Sequence, residues 1–199
     1  MKRAAVLYAT REGHTALIAV GIARKLRDLG ASVDVIDLGA TRREIELDRY
    51  DAAVLAASVH VGHHEPEMVR FARLHRASLE AMPSAFVSVT LSQAGVEMSK
   101  ATPEARVRSA AGVQQVLDCF YAETGWHPAH VKAVAGALRY TKYNFLKRFI
   151  LKQISRKAGG STDTSRDHVY TDWTALESFV ANFAEEFGLS QNAVAPSAR

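Results

Sequence analysis

Cysteine occurs once in this 199-residue chain, at Cys119, so an intramolecular disulfide is impossible and a reducing compartment fits. Cys119 lies in a helical pattern and reads as a small buried hydrophobe. No apolar run approaches the roughly 20 residues that a bilayer-spanning helix needs. A secretory leader is not expected, because the apolar run after Met1-Lys2-Arg3 is short and ends at Arg11 and Glu12. The chain lacks G-x-G-x-x-G, which argues against a dinucleotide Rossmann site, and G-x-x-x-x-G-K-[ST], which argues against a P-loop NTPase. No Ser/His/Asp or Cys/His set stands out, so no catalytic base is assigned. His60, His63 and His64 have metal-like spacing, but the sequence identifies no third partner or supporting shell, and no metal is expected. A formal net charge of +4 is modest, and no nucleic-acid partner is expected.

What the chain has is a strand, a polar loop and a helix at its start. Residues 4–9 form an apolar run, and Leu17, Ile18, Ile22, Leu26 and Leu29 recur at helical spacing with Gly30 as a C-terminal stop. Between them lie Thr10, Arg11, Glu12, Gly13, His14 and Thr15. A helix N-terminus with hydroxyls beside it is an anion site, and Gly13 can adopt φ > 0 and admit a ligand close to the backbone. Arg11 and His14 would contribute backbone N–H groups, their side chains being solvated. T-x-x-G-x-T resembles the phosphate loop of flavodoxins, although a tight βα turn with a Thr cap would use the same residues.

Further strands are expected at 32–38, 51–58, 82–91 and 131–138, with a short irregular helix at 42–49. Pro66 starts a helix with Met68, Phe71, Leu74 and His75 on one side; 92–101 reads as a loop; Thr102-Pro103 caps a helix to about Glu123. Asp172-Trp173 opens the last helix, with Leu176, Phe179, Val180, Phe183 and Phe187 as its apolar stripe. The fold class is therefore α/β, a flavodoxin-like doubly wound five-stranded parallel sheet of order 2-1-3-4-5. One domain spans 1–189, and 190–199 reads as a disordered tail. In that order the loops after strands one, three and four meet at one edge. The first would take a phosphate, while Ser58, Val59, His60 and Gly62 of the second and Ser88, Val89, Thr90 and Leu91 of the third would flank a flat ring. Tyr8 and Phe86 read as core aromatics, and Trp126 and Trp173 as packing residues or ring-stacking candidates.

Four stretches are more specific: Met82-Pro83-Ser84-Ala85-Phe86, Ala135-Gly136-Ala137-Leu138-Arg139-Tyr140, Gly159-Gly160-Ser161-Thr162-Asp163-Thr164 and Val169-Tyr170-Thr171-Asp172-Trp173. They resemble the flavodoxin-like, menaquinone-dependent protoporphyrinogen oxidases of bacterial haem synthesis, from Met1 to about Leu189. The resemblance implies FMN as cofactor, protoporphyrinogen IX as substrate and menaquinone or another quinone as acceptor. It also implies a helical insertion in the last strand, matching about 139–166. His14 and His60 stand where the resemblance would have Gln and Arg.

Arg139, Tyr140 and Lys142 are the candidate substrate-binding residues, because guanidinium and ammonium groups can pair with porphyrin propionates; a basic surface loop is the equal alternative. Beyond them Lys147, Arg148, Lys152, Arg156 and Lys157 alternate with Leu146, Phe149, Ile150 and Ile154, the composition of an interfacial amphipathic helix. Peripheral attachment to the inner face of the cell membrane is the expectation. The competing reading packs that apolar face on the protein's own sheet. The oligomeric state stays open, with a homodimer as one option. Competing functions are a flavodoxin-type electron carrier, an FMN-binding NAD(P)H/quinone oxidoreductase and a non-enzymatic FMN-binding regulator. A pI near 9.3 stands against the first, since small carriers of that kind are usually acidic.

Overall fold

The computed structural model describes residues 1–98, 101–138 and 168–190. Arg139, Tyr140, Lys142, the basic amphipathic stretch, the 159–164 motif and the tail from 191 lie outside the described residues. β1 (Arg3–Ala9), β2 (Ser32–Asp37), β3 (Ala52–His60), β5 (Ser84–Thr90) and β6 (His130–Ala135) make a parallel sheet in the order β2-β1-β3-β5-β6. This is the expected 2-1-3-4-5 arrangement. A short strand, β4 (His63–His64), adds antiparallel to β3.

Both faces of the sheet are covered, and the strand sequences show it by alternation at period two. Ala4, Val6, Val54, Val87 and Val89 face one side and pack under α1 (His14–Asp28) and α6 (Trp173–Glu186). Leu7, Leu55 and Phe86 face the other and pack under α2 (Pro66–Leu74), α3 (Arg76–Ala81) and α5 (Pro103–Thr124). On that second face the rings of Phe86 and Phe120 stack with centroids 4.2 Å apart, and Trp126 meets both edge-on. Such ring pairs add about 0.5–1.5 kcal/mol each beyond their buried area. Trp126 is fully buried as a packing residue among these rings, while Trp173 lies against Gly21 of α1.

Several expectations are corrected. Residues 92–101 are not all loop: α4 (Leu91–Glu97) is helical and buries only Ala94 and Gly95. It presses onto α5 so closely that a Cβ on Gly95 would overlap Ser109. The helix expected at 42–49 is a single 3-10 turn, Leu47–Arg49. Leu74 is exposed, because α2 ends there and the chain turns at His75 into α3. Leu17 is half exposed on the outer side of α1, where Ile18, Ile22 and Leu26 form the buried stripe. The fifth strand stops at Ala135. Beyond Gly136, β7 (Ala137–Leu138) pairs antiparallel with β8 (His168–Val169), off the main sheet. Cys119 is only partly buried and sits on α5 facing His63 rather than the core. Among the described residues, no helix is long and apolar enough to cross a membrane.

Candidate functional site

Parallel pairing aligns the carboxyl ends of β1, β3 and β5, with Ala9 beside Ala57 and Ser58 beside Val89. Ligands in open α/β sheets bind at this edge. After β1, Thr10 does not cap α1. Its Oγ1 accepts the Gly13 N–H at 3.0 Å and so folds the loop back on itself. Gly13 takes the N-cap position at φ +85°, a left-handed conformation that favours glycine, and no side chain caps the helix. No acidic residue occupies the first turn of α1. Thr15 Oγ1 is buried there without a hydrogen-bond partner. An uncapped helix start beside a buried, unpaired hydroxyl is a set of donors that suits an anion.

His14 departs from its expected solvated position. Its side chain is buried, with Nε2 2.7 Å from Thr171 Oγ1. The Thr171 hydroxyl donates its single proton to the Ala135 carbonyl at 2.7 Å, so it accepts from His14, and Nε2 carries the hydrogen. Thr171 thereby joins the start of α1 to the end of β6.

After β3 the chain makes a hairpin rather than an open loop. Val59 pairs with His64 and His60 with His63, across a two-residue turn of Val61 and Gly62. Both turn residues have positive φ, 50° and 82°, the handedness that matches strand twist. Val61 is β-branched and 86% exposed, an unfavourable residue for that conformation. Ser58 Oγ donates to Glu65 Oε1 at 3.1 Å, and Arg11 Nη2 donates to Glu65 Oε2 at 3.0 Å. The Glu65 side chain is only 5% exposed, so this pair ties the first loop to the second from beneath.

His64 is buried between Phe86 and Phe120, and its Nε2 shares a 2.8 Å hydrogen bond with Ser88 Oγ. Burial, aided by His63, pushes its pKa down to about 3, so the ring is neutral at physiological pH. Of the third-loop candidates, Ser88 is thus turned into the interior and Val89 into the core; neither offers its side chain at the edge. Thr90 Oγ1 accepts the Ser92 N–H at 3.2 Å and caps α4, which Leu91 opens. Of the second-loop candidates, the Ser58 hydroxyl is committed to Glu65, and Val59, His60 and Gly62 lie on the hairpin.

A cleft of about 480 Å³ opens beside the hairpin, lined among others by Arg11, His60, Glu65, Arg70, Arg73 and Glu123. Sequence reasoning missed Glu65, Arg70, Arg73 and Thr171. The i, i+3 spacing of Arg70 and Arg73 on a helix was a readable signal for a basic face. Nothing local marks Thr171, whose partners are far away in sequence.

A family model described as "Flavodoxin domain" matches residues 5–165. The chain is 36% identical over 181 residues to the protoporphyrinogen IX dehydrogenase [quinone] of Escherichia coli K12, covering 91% of this chain and 92% of that protein. It is 35% identical to the protein of the same name from Leishmania major, over 90% of this chain and 73% of the other. Among solved structures, a short-chain flavodoxin associated with a PDU bacterial microcompartment aligns at TM-score 0.51 and 14% identity, over 94% of this chain and 99% of that one. The rubredoxin oxygen:oxidoreductase of Desulfovibrio gigas aligns at TM-score 0.52 and 12% identity, over 94% of this chain but 36% of that chain. The parallel order of the sheet, the loops at its carboxyl edge and these likenesses agree: the chain belongs to the flavodoxin-domain oxidoreductases, in the family of the quinone-linked protoporphyrinogen IX dehydrogenases.

Proposed function

We propose that this enzyme is an FMN-dependent protoporphyrinogen IX dehydrogenase that passes electrons to a membrane quinone, menaquinone or a relative of it. The observation that carries the cofactor assignment is the buried, unpartnered Thr15 hydroxyl at an uncapped helix start, under a glycine at φ +85°. That cradle fits one terminal phosphate. It lacks the glycine-rich fingerprint that a pyrophosphate would need. The phosphate would be held by the Thr10 and Thr15 hydroxyls and by the N–H groups of Arg11, Glu12 and His14, in a loop that the Gly13 N–H closes onto Thr10 Oγ1 and that the buried His14 ring fixes at the helix start. The hairpin at Val59, His60 and Gly62 and the backbone at Thr90 and Leu91 would flank the ring. When bound, the flavin supplies the two-electron redox chemistry, and the protein supplies binding, orientation and electrostatics.

The substrate assignment comes from the names of the relatives. It is consistent with the cleft, where Arg11, Arg70 and Arg73 present guanidinium groups that suit the propionate carboxylates of a porphyrinogen. Arg139, Tyr140 and Lys142 remain sequence-based candidates for the same task. A quinone acceptor is confined to the bilayer, and the basic, apolar-interleaved stretch 144–157 supports peripheral attachment to an anionic leaflet.

Anaerobic mixing of flavin-loaded protein with protoporphyrinogen IX and a menaquinone analogue tests the proposal. Porphyrin fluorescence should rise only when protein and quinone are both present. Porphyrin formation no faster than in the protein-free control would reject the dehydrogenase and favour an electron carrier.

A further inference from the structure

The sequence offers three clustered histidines and no third partner for a metal. The fold supplies different partners for one of them. His63, at the start of β4, points its Nδ1 at α5, where Cys119 and Glu123 stand one turn apart on the same face. Nδ1 lies 3.0 Å from Glu123 Oε1 and 3.3 Å from Cys119 Sγ, and all three donor atoms fall within 4.8 Å of one another.

These separations can be compared with coordination chemistry. Donors bound tetrahedrally at zinc distances of about 2.0–2.3 Å lie roughly 3.4–3.6 Å apart. The His63 contacts need to open by only a few tenths of an ångström to admit an ion between them. The donor set is one thiolate, one imidazole and one carboxylate. It suits zinc-class ions, whereas magnesium and calcium prefer oxygen alone. The geometry points to a divalent-metal site of the zinc class, formed by His63, Cys119 and Glu123, that fastens the β3–β4 hairpin to α5.

The three ligands are none of the residues of the phosphate cradle, and the inference does not depend on the proposed activity. Three protein ligands leave the fourth position to water. His60, opposite His63 in the hairpin register, lines the same cleft, as do His63 and Glu123. Binding releases the thiol proton to solvent, and the neutral His63 ring keeps its one proton on Nε2, which leaves a thiolate, an imidazole nitrogen and a carboxylate on the ion. The mechanical result is a cross-link. The hairpin that carries Val59, His60 and Gly62 would be pinned to the longest described helix, and its motion would be damped.

Cobalt(II), titrated into flavin-loaded protein, is the probe. A tetrahedral thiolate-bound cobalt ion gives visible d–d bands to the red of flavin absorption, and one equivalent of zinc should erase them. Cys119→Ser, His63→Ala and Glu123→Gln should each weaken zinc binding about tenfold or more in chelator competition, since losing even an outer-shell partner costs 10–100-fold. These side chains are at the surface, and far-UV circular dichroism should show each variant folded. Zinc should slow amide exchange in residues 59–64 of the wild type and leave Cys119→Ser unchanged. A cobalt spectrum without tetrahedral bands, zinc affinity equal in wild type and Cys119→Ser, or unchanged hairpin exchange would each overturn the inference.

Discussion

Arg11 and Glu65 stand 54 residues apart in sequence, yet the guanidinium lies 3.0 Å from a carboxylate that is almost wholly buried. The pair closes the underside of the candidate site, because Arg11 belongs to the phosphate-type loop and Glu65 follows the hairpin. Arg11→Ala strands a buried carboxylate that keeps the Ser58 hydroxyl as a donor. The loss should be about 1–2 kcal/mol, below the 3–5 of a fully buried pair because Arg11 is half exposed. Urea midpoints check this. Glu65→Gln should restore most of the loss in the Arg11→Ala background, and additive single effects would show that the pair does not couple.

Thr15→Val should separate stability from binding. The substitution keeps the shape and removes a buried hydroxyl that has no partner. Flavin-free protein should gain about 1 kcal/mol, since that hydroxyl no longer has to be desolvated unpaired. FMN affinity should fall roughly tenfold, the equivalent of one hydrogen bond to a charged phosphate. Fluorescence titration reads the affinity and thermal melts read the stability. A variant that binds FMN as tightly as the wild type would remove Thr15 from the cradle.

Gly13→Val should abolish flavin binding. At φ +85° a side chain strains the backbone by about 1–2 kcal/mol, and a β-branched one also blocks approach to the loop. Gly13→Asn should retain measurable binding, because Asn tolerates this conformation best among residues with a side chain. Equal binding by both variants would contradict close backbone approach.

His64 predicts acid sensitivity. Its folded pKa of about 3 lies below the ordinary 6.5, so the unfolded chain takes up a proton that the folded chain refuses. The stability this confers is complete above about pH 6.5 and is lost progressively as pH falls toward 3. The loss amounts to at most about 4–5 kcal/mol. His64→Leu should flatten that part of the pH profile of the urea midpoint. A profile unchanged by the substitution would place the acid sensitivity elsewhere.

The layered sheet was readable because buried parallel strands alternate between two apolar faces, as 4–9 and 51–58 do, and because Thr102-Pro103 is an unambiguous helix start. The short α4 was not, since its packing depends on small residues such as Gly95 meeting Ser109 and not on any apolar periodicity. Only the first edge loop is a loop as expected; 58–64 is the end of β3 with its hairpin, and 88–92 is the end of β5 running into α4. Ser58, Ser88 and Thr10 are used inside the protein, by Glu65, His64 and Gly13, and those pairings are tertiary or turn-specific. The approach of His63 to Cys119 spans 56 residues and two elements, so no spacing rule could have found it.

The bond between His14 and Thr171 joins positions 157 residues apart. During synthesis the anion cradle at residues 10–15 therefore waits until Thr171 has left the ribosome before its buried histidine finds its acceptor. Earlier strands can pair and their helices can dock, but the floor between α1 and β6 is laid last. A truncated product ending before Thr171 would carry the entire T-x-x-G-x-T motif and still present it on an unfinished support.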